Sequence, residues 1–429
     1  MFGFANFLLL ALFAAAVFDL IFTLARGGGL RGALHGLWNT PHLLFGQQLA
    51  EWRLQLGRIL FAAGLAAYEI SVVFCNSMAR QNWAWVQGVM SPVLEWLAFL
   101  CFGAKILFGT RYTWRELLAG GALYFIARWV YFNSQNIWWI GIVVAVLAAK
   151  DVRLRHPLQV YFASGCAAMA VVLALHFAGI VAPDLTSERM GALRGTYGYG
   201  HPNTFGGLVF GLVLAYALLR AQKVRWVDCL LVFAVGVFLL VGPASRSAAL
   251  CTLALAVGLV FCRLRAGHSV PRWWPGTCAG MVGLTAAVSY LLPLLVIKVG
   301  PWNNDIGPAW LAKLDSLLTC RISLTWMAYR LLDVKIAGQV FNWPTVDNSF
   351  AFALFQFGPV VAALLGILFA AALLGHAKQG RRVEVCCLFA MLAYAYMEVQ
   401  PFHLTTNPTA LLLCGAVFAQ TSARWQKIE

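Results

Sequence analysis

Apolar residues fall in long runs broken by short polar and basic connections. Runs of about 18 or more predict membrane spans. They lie near 2–24, 59–79, 83–109, 116–133, 135–150, 158–182, 203–221, 226–243, 246–263, 274–298, 347–375, 385–400 and 407–422, about thirteen in all, with 135–150 the short one. No water in the hydrocarbon can pair a free N–H or C=O, so each span is expected to be a helix. The run Phe2 to Leu24 is long enough to cross, and no small-residue cleavage site follows it, so it reads as a span rather than a cleavable signal. Residues 27–58 are too polar to cross and too long for a turn, and predict an interfacial or re-entrant helix. The expectation is an all-α polytopic integral membrane protein with about 12–14 transmembrane helices. It forms a single transmembrane domain over residues 1–429, with no soluble domain appended.

Composition closes off other classes. Of 429 residues, 61% are apolar and 11% charged, against about 25% charged in a soluble domain. So few charges cannot tile a water-soluble surface, and a mean hydropathy of +0.77 is far too high for a disordered chain. The net charge of +15 would suggest nucleic acid in a soluble protein. In a membrane protein it marks topology, because Lys and Arg collect on the cytoplasmic side, and no nucleic-acid partner is expected. The 17 Trp and 12 Tyr fit interfacial belts. The eleven Cys show no CxxC pair, adjacent Cys386 and Cys387 lack zinc spacing, and all are expected to be small buried hydrophobes.

Charge then sets orientation. Arg53 and Arg58, Arg111 and Arg115, Lys150 and Arg153, Lys223 and Arg225, Arg263 and Arg265, Arg381 and Arg382, and the tail Arg424 and Lys427 fall on alternate connections. That side is expected to be cytoplasmic, with the N-terminus facing outward. Two long connections, 183–202 and 299–346, fall on the other face. That face also carries cations: Arg80, Arg189, Arg194, Arg246, Lys298, Lys313, Arg321, Arg330 and Lys335. Several stand where a loop meets a span, at the depth of a lipid phosphate. Guanidinium groups grip diphosphate oxygens bidentately; ordinary head-group contact by solvated arginines is the alternative.

The first long loop ends Arg194-Gly-Thr-Tyr197-Gly-Tyr199-Gly-His201-Pro-Asn203. Its glycines allow close approach to a ligand, and a helix start at Pro202 favours an anion. Tyr197, Tyr199 and Asn203 are therefore candidate substrate contacts. His201 is either a structural hydrogen-bonder or a base. Arg246, in the tight turn Gly242-Pro-Ala-Ser-Arg-Ser247, either meets a phosphate or caps the preceding helix. The second loop predicts an amphipathic helix over roughly 309–332, with Leu311, Leu314, Leu318, Thr325, Ala328 and Leu332 on one stripe. Arg321 falls in that stripe and either snorkels or points into a protein cavity. Arg330 could pair with Asp333 at i+3. Asp347 and Asn348 open the next span, as helix caps or as catalytic groups. Asp19, Glu69, Glu95, Arg128, His176, Asp228 and Glu398 lie within spans and need partners. Glu398, Gln400, His403 and Asn407 cluster at the last turn and could line the same cavity.

Arg194 with His201-Pro202-Asn203, Ser245-Arg246-Ser247, Arg321-Ile322, and Asp347-Asn348-Ser349 with Gly358 resemble, over roughly residues 185–415, the O-antigen polymerase and ligase superfamily, the Wzy polymerases and WaaL ligases. The Gly-Tyr-Gly-His-Pro-Asn stretch looks most like the polymerases of capsular and exopolysaccharide systems. The resemblance implies a fold similar to the GT-C and SEDS glycosyltransferases. It also implies transfer of sugar repeat units from an undecaprenyl-diphosphate donor to a lipid-linked acceptor, on the outer face of a bacterial cytoplasmic membrane. It makes Arg194, Arg246 and Arg321, with Arg80 as an addition, the diphosphate ligands. Asp347, His201 and Asn348 become the catalytic candidates. Membrane lipid and a separate chain-length regulator are the implied partners, and no cofactor or metal is implied. Ligases carry a His where this frame reads Asp347-Asn348, nine residues, Gly358, which favours a polymerase over a ligase. A flippase for lipid-linked oligosaccharide is the rival from another class. It would be expected to show related halves and mid-membrane charges.

Overall fold

The computed structural model describes residues 2–27, 29–181, 187–189, 192–296 and 307–418. Lys298, Arg424, Lys427 and parts of both long connections lie outside the described residues. The chain is 76% helical, an all-α polytopic membrane architecture with two minor strand ladders. In chain order the helices are α1 (Phe2–Ala25), α2 (Gly29–Asn39), α3 (Ala50–Cys75), α4 (Ala79–Asn82), α5 (Ser91–Phe108), α6 (Trp114–Ser134), α7 (Ile137–Ala148), α8 (Arg155–Phe177) and α9 (Pro202–Leu219). They continue with α10 (Trp226–Val241), α11 (Arg246–Leu264), α12 (Trp274–Leu291), α13 (Ala309–Leu317), α14 (Arg321–Leu331), α15 (Ser349–Phe352), α16 (Pro359–Lys378), α17 (Arg382–Met397) and α18 (Cys414–Val417). The ladders join β1 (His42–Leu43) to β2 (Arg111–Tyr112), and β3 (Ser187–Arg189) to β4 (Ala192–Arg194).

Among the described residues, eight helices are long and apolar enough to cross a membrane, fewer than the thirteen runs suggest. The shortfall has physical causes. The run 135–150 becomes the twelve-residue α7, buried from Trp139 to Ala148 and so an inner helix rather than a lipid-facing one. The run 407–422 opens with 3-10 turns, because the Asn407 carboxamide accepts from the Ala410 amide at 3.1 Å and donates to Pro401 O at 2.9 Å, holding a tight turn. The run 347–375 keeps one span, Pro359–Lys378, and loses only its first part, set apart by a π-helical turn, Ala353–Phe357, and by Gly358 at φ +88°. A Cβ on Gly358 would collide with the Ile336 carbonyl, and one on Gly338 (φ +73°) with the Gln356 carbonyl, so two glycines let the loop press backbone to backbone against the break. The run expected to reach 400 ends at Met397, leaving Glu398 in extended conformation beyond α17.

The segment 27–58 contains the amphipathic α2, as its polarity suggested, and the start of α3. The helix expected over 309–332 is two helices, broken where Thr319 and Cys320 take positive φ. Buried Asp315 explains the break. Its carboxylate accepts from the Ile322 amide at 2.7 Å, the Ser323 amide at 3.2 Å and Ser323 Oγ at 2.8 Å, and so caps α14 from the preceding helix. Arg330 lies over the Trp326 ring rather than against Asp333. Cys320 is exposed, unlike the buried thiols expected throughout.

Most of the span charges find partners. Asp19 meets His42 at 3.3 Å, Arg128 Nε donates to Asn6 Oδ1 at 2.8 Å, and Asp228 accepts from Tyr216 OH at 2.6 Å while pairing with Arg220 at 3.2 Å. Connections that the charge pattern groups on one side also meet in space. Arg53 Nε donates to Phe108 O at 2.9 Å, and Lys150 Nζ to Arg111 O at 2.5 Å.

Candidate functional site

The site is assembled on α9. His201 caps this helix, its Nδ1 accepting from the Asn203 amide at 3.1 Å, and Pro202 occupies the first turn, where a missing N–H costs nothing. The next turns present Gly206, Gly207 and Gly211. A Cβ on Gly206 would strike Ser245 Oγ, one on Gly207 would strike the Gln400 carboxamide, and one on Gly211 would lie 2.7 Å from Thr405 O. These glycines let the start of α11 and the 400–406 turn close onto α9. That approach brings Asn203, one turn above, to Glu398: its Nδ2 donates to Glu398 Oε1 at 3.0 Å.

Three donors converge on that one oxygen. Besides Asn203, Ser247 Oγ donates at 2.8 Å and Arg321 Nη2 at 2.5 Å. Glu398 and Arg321 are 5% and 7% exposed, so this is a buried ion pair. Among the described residues Glu398 Oε2 receives no hydrogen bond. Burial is the first influence on the carboxyl and pushes it above the ordinary Glu range. The Arg321 charge opposes this, the nearby Asp347 charge adds to it, and the hydrogen bonds from Ser247 and Arg321 oppose it. The result is a carboxyl anchored through one oxygen and more basic than an ordinary glutamate.

Arg321 has its five N–H groups occupied. Nε donates to Met397 O, Nη1 to Leu318 O at 2.9 Å and to Thr319 Oγ1, and Nη2 to Ser247 Oγ at 3.3 Å as well as to Glu398. It therefore points into the protein instead of snorkelling. Arg194, also buried, joins the same network from β4, donating to Asn203 Oδ1 at 2.9 Å and to Ala244 O at 3.2 Å. Arg246 is exposed at the first position of α11, between Ser245, whose Oγ donates to Asn203 Oδ1 at 3.5 Å, and Ser247. Residues from four separate stretches of the chain thus meet at one point.

The remaining candidates have distinct placements. Asn348 caps α15, with Oδ1 accepting from the Phe350 and Ala351 amides, while Nδ2 donates to Ser289 Oγ and Tyr396 O at 3.1 Å each. Its capacity is spent on structure. Ser349 Oγ donates to Glu398 O at 2.5 Å, which staples this segment to the end of α17 and leaves half-buried Asp347 beside Glu398. Tyr197 stacks on Phe205 with centroids 5.0 Å apart. Tyr199 is fully buried beneath it, and its hydroxyl meets no partner, so its ring packs rather than lines an opening. Arg80 is exposed on α4. That segment is tied to the loop through Met78 N and Gly198 O at 2.8 Å, and no bond links Arg80 to the Glu398 network. The sequence reading missed Ser247 as a contact and Asn203 as the bridge, because both roles depend on how closely α9, α11 and the end of α17 pack.

A narrow apolar cavity, about 60 Å³, runs between α12, α16 and α17. Tyr290, Phe350, Leu365 and Phe369 line it, with Ser349, beside the network, on its wall. No family model matches the chain, and neither a curated protein nor a solved structure is found similar to it.

Proposed function

We propose that the chain is a membrane glycosyltransferase that polymerises sugar repeat units carried on a polyprenyl diphosphate, at the outer face of a bacterial cytoplasmic membrane. One observation carries the reading: Arg194, Asn203, Ser247, Arg321 and Glu398, drawn from all along the C-terminal half, form a single connected network with Arg246 at its edge.

In this reading a hydroxyl of the acceptor repeat attacks the anomeric carbon of the donor sugar. The new glycosidic C–O bond forms as the bond to the diphosphate breaks, and polyprenyl diphosphate departs with the electron pair. Arg246, at the N-terminus of α11, meets the developing negative charge together with Arg194; fixed cations and a helix N-terminus stabilise such charge without reorganising. Glu398 Oε2 takes the hydroxyl proton, a general-base step worth roughly 10²–10⁴-fold. Arg321, with every donor engaged, holds Glu398 and reaches a diphosphate only by exchanging it. The apolar cavity that Ser349 helps to line suits the first part of a prenyl chain.

The test is elongation of a purified lipid-linked repeat by the reconstituted protein. Arg246→Ala and Glu398→Gln are expected to abolish the ladder of longer products while the protein stays folded. Normal ladders in both variants would overturn the reading.

A further inference from the structure

The end of α11 and α17 remote from Glu398 carries a second, unassigned concavity. α11 has 19 residues, so the two ends stand about 28 Å apart. Two adjoining chambers lie there. The first, about 390 Å³, sits between the α9–α10, α11–α12 and α16–α17 connections, and Lys223, Arg263, Arg381, Arg382 and Glu384 stand on its wall. That volume falls in the range of small-molecule sites, about 300–1,000 Å³. The second, about 270 Å³, is lined mostly by aliphatic side chains, among them Leu158, Leu218, Leu411 and Leu412, with Lys378 and Gln379 also on its wall. The two share Arg381 and Glu384.

The polar groups are arranged for a visitor. Arg382 is committed to the wall, donating through Nη1 to Arg265 O at 2.6 Å and through Nη2 to His268 O. Among the described residues, the side chains of Lys223, Arg263 and Arg381 enter no ion pair and no hydrogen bond. Three cations thus border one chamber against a single carboxylate, Glu384, and the N-terminus of α17 adds its dipole. In the greasy chamber, His376 Nδ1 is buried with no partner. The first concavity is open, with Lys223 and Arg263 exposed and Arg381 half-buried, so its cations can be reached, and a soluble anion would need no apolar annex.

We propose that this pair of chambers binds a phospholipid of net negative charge, its phosphate among Arg263, Arg381 and Lys223 and one chain in the aliphatic chamber. The opposite signs of head and wall, and the cationic–apolar division of the space, favour this occupant over a neutral lipid or a free anion.

Gly375 separates the two contributions. It lines the aliphatic chamber, and a Cβ there meets nothing within 4 Å, so a larger side chain grows into empty space. Binding of dioctanoyl phosphatidylglycerol, dioctanoyl phosphatidylcholine and inorganic phosphate is measured by calorimetry on the full chain in detergent. Phosphatidylglycerol is expected to bind at least tenfold more tightly than either of the others. The double variant R263A/R381A is expected to lose at least tenfold, with Lys223→Ala as a milder loop variant should the double one fail to fold. Gly375→Leu is expected to weaken the lipid at least tenfold and leave phosphate unchanged. Equal binding of phosphatidylcholine overturns the proposal, as does full binding by the folded cation variants. Phosphate binding as tight as the lipid, insensitive to Gly375→Leu, reduces the site to one for a free anion and overturns it too.

Discussion

Arg321 and Glu398 stand 77 residues apart in the chain and 2.5 Å apart in space, and both are buried. Removing one partner of such a pair leaves the other as an uncompensated charge, at a cost of about 3–5 kcal/mol. Arg321→Ala and Glu398→Ala are each expected to lower the melting temperature in detergent clearly. The double variant R321M/E398L is expected to recover much of the loss, because no lone charge remains. Arg246→Ala, at an exposed position, is expected to lower the melting temperature less than either buried-pair variant. Melting curves of these variants check whether the pair is structurally coupled, independently of any transfer assay.

Asp347 and Glu398 compete as candidate bases, and pH separates them. Asp347 raises the Glu398 carboxyl on top of the rise that burial causes. If Glu398 is the base, activity falls as pH drops through a value above the ordinary 4.5. Asp347→Asn removes the raising charge, so the acid limb of the rate profile moves to lower pH while turnover persists. Loss of all turnover in Asp347→Asn, with normal membrane levels, would make Asp347 the base instead.

The α9 glycines are expected to behave as a spacing device. Gly206→Ala puts a methyl onto Ser245 Oγ, and Gly207→Ala puts one onto the Gln400 carboxamide. Overpacking of this kind costs about 1–3 kcal/mol, and here it also pushes Asn203 away from Glu398. Gly366→Ala, in α16 with nothing within 4 Å of its Cβ, serves as the comparison. It is expected to be neutral or to stabilise by about 0.5–1 kcal/mol through helix propensity. Thermal melts and the elongation assay together check both effects.

Much of this was legible beforehand, and the remainder has a definite character. Hydropathy located the long helices, because a span must be apolar along its whole length. It overcounted where a run is buried by protein instead of lipid, as in α7, or where Asn407 holds the chain in 3-10 turns, and it set one start too early where Gly358 breaks the backbone. The stripe that placed Arg321 among Leu311, Thr325 and Ala328 correctly put a cation on a buried face. It did not reveal that Asp315 would cap a second helix and split the first, since that contact depends on a fold-back over seven residues. Asp347, Asn348 and His201 looked alike as polar groups at helix starts. Only coordinates separate Asn348 and His201, which cap, from Asp347, which borders a carboxyl.

His403 provides a pH test of the turn behind the site. Its ring packs on Trp138 with centroids 4.0 Å apart, and burial brings its pKa down to about 4 from the ordinary 6.5. Between those values the unfolded chain takes up a proton that the folded one does not. This contribution to stability is therefore complete above about pH 6.5 and is lost as pH falls through about 4. The melting temperature is expected to decline as pH is lowered from 7 to 4.5. His403→Asn, which cannot titrate, is expected to start lower at pH 7, having lost the ring contact with Trp138, and to decline less steeply. Parallel slopes for the parent and His403→Asn would show that the imidazole is protonated in the folded turn and that this origin for the acid sensitivity is wrong.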